Sequence, residues 1–265
     1  MNKILAFSLS FVLFLATAAY AQDGITVGTV SGSDVAFLEK AVEVAAKDGL
    51  KVTIKEFSDY PQLNPALVSG DIDLNSFQHI PYLDSFLRDN PSDLVSIGTT
   101  YIAPMGIYSK RIKSLEELKE GDIVAIPNDP SNGGRALLLL EKAGKITLRP
   151  DAGITATPFD VEENPLKLKI IAVDAAQAPT ALDDAAAVAI NNNYATPLGL
   201  NPLNDAIFLE DADSPYVNII VARGADKDNP QYLQFVKAYQ SQEVADLIIA
   251  TDKGATIPAF PYEKK

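Results

Sequence analysis

One short motif in the middle of the chain, Ser131-Asn-Gly-Gly-Arg135, places a cation where a helix disfavours one. Ser131 is a natural helix cap, so we expect Arg135 in the first turn, where a positive charge costs about 0.3 to 1 kcal/mol. The free amides of a first turn bind anions, and Gly133 and Gly134 let a ligand approach the backbone. The motif lacks the Gly-Lys-Ser/Thr ending of a phosphate-binding loop. It predicts either a carboxylate-binding site or an ion pair with a protein carboxylate such as Asp129.

A second segment, Asn75-Ser-Phe-Gln-His-Ile-Pro-Tyr82, carries several rings just beyond the end of a predicted strand. Ligands of open α/β sheets bind beyond those strand ends, so Phe77, His79 and Tyr82 are candidates for the wall of an apolar pocket. Tyr60, at the end of another predicted strand, could join them. Taken alone, each aromatic residue is more often part of a core, and a single histidine is more often a hydrogen-bonded structural residue.

A third candidate site is the run Asn191-Asn192-Asn193, which follows a buried strand and offers amide donors and acceptors. Ordinary turn chemistry explains an asparagine run almost as well as ligand binding does. The run therefore adds a possible polar contact to the two sites above.

The elements that position these residues alternate between strands and helices along the chain, which is typical of an α/β fold. A strand, a helix and a second strand open the chain, and this unit predicts a parallel pair with a right-handed crossover. No Gly/Ser linker separates the two predicted sheets, so we expect more than one short crossing between them. The predicted strands are Ile25–Val30, Lys51–Phe57, Ile72–Asn75, Ile123–Ile126, Lys169–Val173, Ala185–Ile190 and Val217–Ala222, and the predicted helices are Asp34–Asp48, Asn64–Gly70, Arg135–Lys142, Ala178–Asp184 and Gln231–Ala250.

Composition excludes several classes of function. The chain has 265 residues, of which 47% are hydrophobic, so it can bury a sizeable core. Its formal net charge of -13 argues against a nucleic-acid or anionic-lipid partner. There is no cysteine, which excludes disulfides, thiolate catalysis and lipid attachment through an N-terminal cysteine. No metal or cofactor motif is visible, and we expect neither.

The first residues predict a secretory signal peptide, residues 1–21. Lys3 is followed by an apolar stretch from Ile4 to Ala19, and Ala19-Tyr20-Ala21 is a small-x-small cleavage site. The stretch is short for a membrane span and lacks a basic stop-transfer cluster, so a membrane anchor is the weaker reading.

Several motifs, in order and at family-like spacing, resemble the NlpA family of methionine-binding proteins through nearly the whole mature chain. These are Asp59-Tyr60, the segment from Asp71 to Asp84, the segment from Ile126 to Leu140, Glu163-Asn-Pro165, Leu182-Asp-Asp184 and Ser214-Pro-Tyr-Val-Asn218. The resemblance implies an α/β periplasmic binding protein fold with two lobes and a ligand cleft between them. We expect one lobe from residues 22–105 and 212–265, and the other from residues 106–211.

The resemblance also implies a function and a set of site residues. A methionine would bind in the cleft and pass to the permease of an ABC transporter and its ATPase, and we expect a monomer without cofactor or metal. Arg135 would pair bidentately with the ligand carboxylate. Asn191 and Asn218 would hold the ligand's backbone groups, with Asn193 as an alternative to Asn191. The family's side-chain pocket corresponds to four residues, namely Tyr60, Phe77, His79 and Tyr82.

The chain departs from the family in two respects. Many family members are lipoproteins, whereas this chain has no cysteine, so we expect it to diffuse freely in the periplasm after cleavage. Ser76 and Ile80 stand where the family motif has other residues, which leaves another apolar amino acid or a short peptide open as ligand.

Two other classes of function stay open. A hydrolase or transferase could use His79 with Asp84 or Ser76, although neither a Ser-His-Asp spacing nor a nucleophile elbow is present. A surface or sensory protein could have kept the fold and lost transport. We expect a binding protein and not an enzyme.

Overall fold

The computed structural model describes residues 24–211, 214–251 and 253–263. Its strands are β1 Ile25–Val30, β2 Val52–Phe57, β3 Leu74–His79, β4 Leu94–Thr99, β5 Tyr101–Ile102, β6 Gly106–Tyr108, β7 Ile123–Pro127, β8 Thr147–Leu148, β9 Val161–Glu163, β10 Lys169–Val173, β11 Ala187–Ile190, β12 Phe208–Leu209, β13 Asn218–Arg223 and β14 Ile257–Pro258. Its α-helices are α1 Asp34–Lys47, α2 Leu63–Ser69, α3 Ile80–Asp89, α4 Pro130–Lys142, α5 Asn192–Ala195, α6 Pro202–Asp205, α7 Pro230–Tyr239 and α8 Gln242–Thr251. The predicted signal peptide lies outside the described residues.

One five-stranded sheet has the order β2-β1-β3-β13-β4. Strands β2 and β3 pair parallel to β1, which is the arrangement that the opening strand-helix-strand pattern predicted. Strand β13 comes from late in the chain and runs antiparallel between β3 and β4. Helices α1, α7 and α8 cover one face of this sheet around Phe37, Phe235 and Tyr239.

The second five-stranded sheet has the order β10-β7-β11-β6-β12. Strands β10 and β11 pair parallel to β7, and β6 runs antiparallel between β11 and β12. Helix α4 packs its leucines onto this sheet around Val124 and Ile126. Each sheet therefore has its own hydrophobic core, and the α/β class predicted from the sequence is confirmed.

The chain passes from the first sheet to the second between β5 and β6, through residues 103–105. It returns between β12 and β13, where the structure describes residues 210–211 and 214–217. The C-terminal helices α7 and α8 then pack against α1 of the first sheet. We name these two segments the outgoing and the returning crossing.

Three predicted elements have other bounds in the structure. The strand expected to end at Asn75 continues as β3 to His79, because β13 supplies a partner for its polar second half, with Asn218 opposite His79. The long C-terminal helix is broken into α7 and α8 at Gln240 and Ser241. The helix expected from Ala178 is a 3-10 helix, Ala175–Asp183.

Helix α4 begins five residues earlier than predicted, at Pro130. Its cap is Asp129 and not Ser131, because the Asp129 carboxylate accepts the Asn132 N–H at 2.9 Å. The glycines expected in a loop therefore lie inside the helix. Proline in the first turn and an aspartate cap are both favourable at a helix start, and they outweigh the low helix propensity of the two glycines.

Among the described residues, no helix combines the length and the apolar character that crossing a bilayer requires. Within the same residues, the acidic, histidine and cysteine side chains form no group of three that could hold a metal ion.

Close packing at Gly134 predicts that replacing this glycine with alanine lowers the free energy of unfolding. A Cβ there would lie 2.4 Å from the Ile154 carbonyl oxygen and 2.9 Å from the Ala156 nitrogen, both of them backbone atoms. Helix propensity alone would make Gly134→Ala stabilising by about 1 kcal/mol, whereas overpacking against backbone costs about 1 to 3 kcal/mol. We expect net destabilisation in urea unfolding. Lys142→Ala, on the exposed side of α4, is the control and should change stability by less than about 0.5 kcal/mol; a more stable Gly134→Ala protein would contradict the packing argument.

Candidate functional site

A cleft between the two sheets contains about 410 Å³ of space that no protein atom fills, a volume that includes open solvent. Residues of both lobes and Ala103 of the outgoing crossing line it, and most of them are polar or aromatic. The lining residues are Asp34, Tyr60, Phe77, Gln78, His79, Tyr82, Tyr101, Ala103, Asn132, Arg135, Asn191, Asn192, Asn193 and Asn218.

The guanidinium of Arg135 is buried in this cleft, with 4% of the side chain exposed. Its Nε donates to Glu210 Oε1 at 2.9 Å, and its Nη2 donates to Glu210 Oε2 and, at 2.9 Å, to the carbonyl of Ala103. The guanidinium carbon lies 4.2 Å from the centre of the Tyr216 ring, which adds a cation–π contact. Within the part of the chain that the structure describes, these hydrogen bonds use three of the five N–H donors of the arginine and leave the two of Nη1.

Two expectations about Arg135 are wrong, namely its position in the first helical turn and Asp129 as its ion-pair partner. Arg135 lies in the second turn of α4 because the helix begins at Pro130, so its charge is further from the helix start than predicted. The anion at that start is Asp129, which is half-buried and accepts the Asn132 amide. The ion-pair partner of Arg135 is Glu210 and not Asp129.

His79 is held neutral at the edge of the cleft. Its Nδ1 accepts the Tyr82 N–H at 3.2 Å, so the ring proton lies on Nε2, which donates to Asn132 Oδ1 at 3.1 Å. Burial and, after it, the nearby charge of Arg135 lower the pKa of His79 to about 3, and the hydrogen bond to Asn132 opposes them. Both ring nitrogens are therefore engaged in structural hydrogen bonds.

This geometry gives the hydrolase alternative no support. Asp84 is exposed on α3, and Ser76 is buried within β3, where its carbonyl accepts the Thr29 hydroxyl. The hydrogen-bond partners of His79 are Asn132 and the Tyr82 amide, so neither of the two residues weighed as its catalytic partner contacts the ring.

Four rings pack together at the cleft, three of them in its lining and Tyr194 behind them against Tyr60, and we name the four the aromatic wall. They are Tyr60, Phe77 and Tyr82 from the first sheet side and Tyr194 from the second. Tyr60 lies at the centre, with ring centroids 5.8 Å from Phe77, 5.9 Å from Tyr82 and 5.1 Å from Tyr194. Tilted and edge-on rings at such distances attract each other. The wall is an apolar surface built by both halves of the molecule.

A bulge in β3 helps to place the wall. Ile219 of β13 pairs with Gln78 while the next residue, Ile220, pairs with Ser76, so Phe77 is the extra residue of the ladder. Beta-bulges bend a strand and re-aim its side chains, and they are common next to functional sites. Phe77, Gln78 and His79 all reach the cleft from this irregular strand end.

The opposite side of the cleft is rich in amides. Asn191 Nδ2 donates to Asn132 Oδ1 at 2.9 Å, and Asn132 Nδ2 donates to both oxygens of Asp129. Asn191 Oδ1 and Asn193 Nδ2 are buried without a hydrogen-bond partner among the described residues. Buried polar atoms without partners are costly, so this side of the cleft offers one acceptor and one donor to a polar ligand.

Two buried hydrogen bonds join the halves across the cleft. The Tyr60 hydroxyl donates to Asn193 Oδ1 at 2.5 Å, and His79 Nε2 donates to Asn132 Oδ1. Tyr60 and His79 lie on the side of the first sheet, and Asn193 and Asn132 lie on the side of the second sheet. The cleft is therefore closed by direct contacts between the lobes.

The seven residues predicted for the site all line this one cleft. Their role in binding stays a prediction, but the structure brings them together from distant parts of the chain. Among the residues around them that were not predicted are Asp34, which lines the cleft, Asn132 and Tyr216, which lay within quoted motifs, and Tyr194 and Glu210, which no local pattern marked. Asn191 and Asn193 both line the cleft, so the two alternatives lie side by side.

Comparison with known proteins gives consistent matches. The sequence profile of the family described as NlpA lipoprotein matches residues 25–260. The D-methionine-binding lipoprotein MetQ of Salmonella typhimurium is 50% identical over 254 residues, which are 93% of this chain and 94% of that protein. Outer membrane lipoprotein 3 of Mannheimia haemolytica is 46% identical over 251 residues, 94% of this chain and 95% of that protein. The family resemblance predicted from the motifs is confirmed.

A solved structure agrees with the sequence matches. A nutrient-binding protein from Burkholderia cenocepacia bound to methionine superposes with a TM-score of 0.88 at 50% identity, over 89% of this chain and 100% of that chain. This likeness confirms the predicted periplasmic binding protein fold with two lobes. The relatives named for a function are named as binding proteins.

The prediction of a freely diffusing periplasmic protein is wrong. The matching family is described as a lipoprotein family, and both relatives above are named lipoproteins, which implies a lipid anchor at the cell envelope. The prediction depended on the absence of cysteine from the chain, and that absence does not outweigh the agreement of the relatives.

The buried neutral histidine generates a prediction about stability and pH. Between pH 6.5 and about 3, the unfolded chain binds a proton at His79 that the folded chain does not, so His79 removes stability as the pH falls through that window. The stability of the wild type relative to His79→Gln should therefore fall by up to about 1.4 kcal/mol per pH unit between roughly pH 6 and 4. Urea unfolding of both proteins at several pH values measures this difference.

Comparing wild type with His79→Gln also cancels the contribution of Asp34 to the pH dependence of stability, which has the opposite sign. Burial raises the pKa of Asp34 from 3.8 to about 6, so this carboxyl adds stability as the pH falls, equally in both proteins. Parallel stability curves for wild type and His79→Gln would show that His79 is not buried in its neutral form.

Proposed function

This chain belongs to the NlpA lipoprotein family, and from this premise we propose that it is a substrate-binding protein that captures methionine for uptake by an ABC importer. The observation that carries the proposal is one closed cleft lined by a buried guanidinium, by several amides and by aromatic rings. A free amino acid with an apolar side chain presents matching groups. The names of a close relative and of a methionine-bound neighbour support methionine in particular.

The ligand carboxylate would bind at Arg135. Because Nε and Nη2 are committed to Glu210 and Ala103, the contact goes through Nη1 and not through the bidentate edge first expected. The unpartnered Asn191 Oδ1 and Asn193 Nδ2 supply further polar contacts, and Asn218 lines the same cleft. A charge-assisted hydrogen bond in such a buried site is about twice as strong as a neutral one.

The ammonium group would face the acidic side of the cleft. Asp34 lines the cleft, is 5% exposed and accepts a hydrogen bond from the Tyr101 hydroxyl. A positive group near this carboxylate would offset the cost of burying its charge. A zwitterion therefore fits the cleft better than a simple carboxylic acid does.

The methionine side chain would lie against the aromatic wall. A thioether beside aromatic rings gains about 0.3 to 1.5 kcal/mol per contact beyond simple burial. An aliphatic side chain of the same length would keep the burial and lose that gain. Another apolar amino acid or a short peptide is the second candidate within the same class of function.

The proposal extends to partners and to domain organisation. We assign the lobes to residues 22–105 with 212–265 and to residues 106–211, which puts one five-stranded sheet in each. The protein would act as a monomer that binds its ligand without transforming it, and the closed form would dock on the permease of the importer. The engaged nitrogens of His79 support binding over catalysis.

Ligand analogues test the proposed contacts without altering the protein. Methionine should bind the purified protein in isothermal titration calorimetry. Methionine amide, which lacks the carboxylate charge, should bind at least about tenfold more weakly, because a hydrogen bond to a charged group contributes about 1.5 to 3 kcal/mol. Norleucine, the aliphatic control, should lose at most about tenfold. No measurable binding of methionine would refute the proposed ligand, and equal binding of the amide would refute the Arg135 contact.

The Tyr60–Asn193 hydrogen bond should stabilise the closed, ligand-bound form. Tyr60→Phe keeps the ring in the aromatic wall and removes only the hydroxyl, so methionine affinity should fall about two- to tenfold. Tyr232→Phe is the matched control, because its hydroxyl contacts Asp73 away from the cleft. Unchanged calorimetric affinity in Tyr60→Phe would mean that this bond does not contribute to closure.

A further inference from the structure

The proposed carboxylate-binding arginine is hydrogen-bonded to both segments that join the lobes. Arg135 Nη2 donates to the carbonyl of Ala103, in the outgoing crossing. The same guanidinium binds Glu210, at the start of the returning crossing. A side chain of one lobe is thereby linked to both polypeptide connections between the lobes.

Glu210 makes this connection through its backbone N–H and both of its carboxylate oxygens. Its backbone N–H donates to the Met105 carbonyl at 3.0 Å, and its Oε2 accepts the Met105 N–H at 3.1 Å. Its Oε1 accepts the Ser214 hydroxyl at 3.3 Å as well as the Arg135 Nε. One buried carboxylate therefore binds the arginine, the outgoing crossing and the returning crossing together.

The surroundings make this carboxylate difficult to replace. The Glu210 side chain is 11% exposed, and that of Arg135 is 4% exposed. Removing one member of a buried ion pair leaves the other charge without compensation, which costs much more than losing an exposed pair. The neighbouring Asp211 differs in this respect, because it is 70% exposed and pairs with the exposed Lys142.

We propose that Glu210 is a positioning residue that fixes Arg135 for the ligand and couples ligand binding to the conformation of both crossings. Glu210 occupies the Nε edge of the guanidinium and so leaves Nη1 for the cleft. A ligand that binds Nη1 stabilises this orientation, and through Glu210 and Ala103 it stabilises the closed arrangement of the crossings. Ligand binding and hinge closure would thus depend on one hydrogen-bonded cluster. This inference rests on the proposed function, because it assigns the ligand carboxylate to Arg135.

The test compares Glu210→Gln with Asp211→Asn, which removes the same charge one residue further along. Because the chain has no cysteine, pairs of spin labels can be attached to Glu39→Cys in α1 and Lys119→Cys before β7, both exposed and on different lobes. Electron–electron double resonance then gives the distribution of interlobe distances, and calorimetry gives the affinity for methionine.

We expect Glu210→Gln to lower methionine affinity at least about tenfold and to broaden the interlobe distances both with and without methionine. Asp211→Asn should match the wild type in both measurements. A structural role alone would lower the thermal midpoint of Glu210→Gln and leave affinity and distances unchanged, which would overturn the proposal. Affinity higher than that of the wild type would also overturn it, since Glu210 would then compete with the ligand for Arg135.

The test also covers a Glu210→Gln protein that does not fold and a wild-type protein that does not bind methionine. If Glu210→Gln does not fold, Glu210→Asp, which keeps the charge but is one methylene shorter, serves instead, and wild-type affinity with narrow distances would overturn the proposal. If wild-type protein does not bind methionine, the proposed function fails. The distances measured without ligand then still decide whether Glu210 holds the crossings.

Discussion

A positive charge that is buried between two lobes must be compensated there, and this constraint organises the rest of the cleft. Arg135 is compensated by Glu210, supported by the Ala103 carbonyl and faced by the Tyr216 ring. Desolvation of a charge is expensive, so such a guanidinium persists only with partners of good geometry. The partners that it has leave one nitrogen for the cleft, and we propose that nitrogen as the contact for the ligand carboxylate.

The two sides of the cleft differ in how they are built. The aromatic wall is held by ring-to-ring packing around Tyr60 and includes Tyr194 from the other lobe. The amide side is held by a hydrogen-bonded chain from Asp129 through Asn132 to Asn191 and His79. An apolar surface opposite a polar one suits an amino acid with an apolar side chain, because each part of the ligand meets groups that replace its contacts with water.

Closure adds to this selectivity. The bonds from Tyr60 to Asn193 and from His79 to Asn132 join the lobes directly within the cleft. In a closed, dry cleft the remaining polar contacts become stronger, since the effective dielectric constant falls. A ligand favours closure only to the extent that it binds the closed form better than the open one. The residues that we propose to bind the ligand and the residues that join the lobes are neighbours here, which allows the two processes to be linked.

The amino-acid sequence by itself determined the α/β class, the family and seven of the fourteen residues that line the cleft. Alternating apolar patterns predicted most strands to within a few residues, because strand β1 or helix α1 forms from its own periodicity. The motifs around Arg135 and Phe77 are short and continuous, so they could be found without coordinates. The composition, in contrast, was a poor guide to the cellular location.

Tertiary structure alone decided the features that depend on residues far apart in the chain. Glu210 is 75 residues from Arg135, and no local pattern identifies it as the partner. The second half of β3 is polar and forms a strand because β13, far along the chain, pairs with it. The early start of α4 is in contrast a local feature, an Asp129 cap followed by a proline, that the sequence analysis misplaced. Local sequence sets the preference of a segment, whereas burial and pairing with distant residues set its final bounds and the partners of its charges.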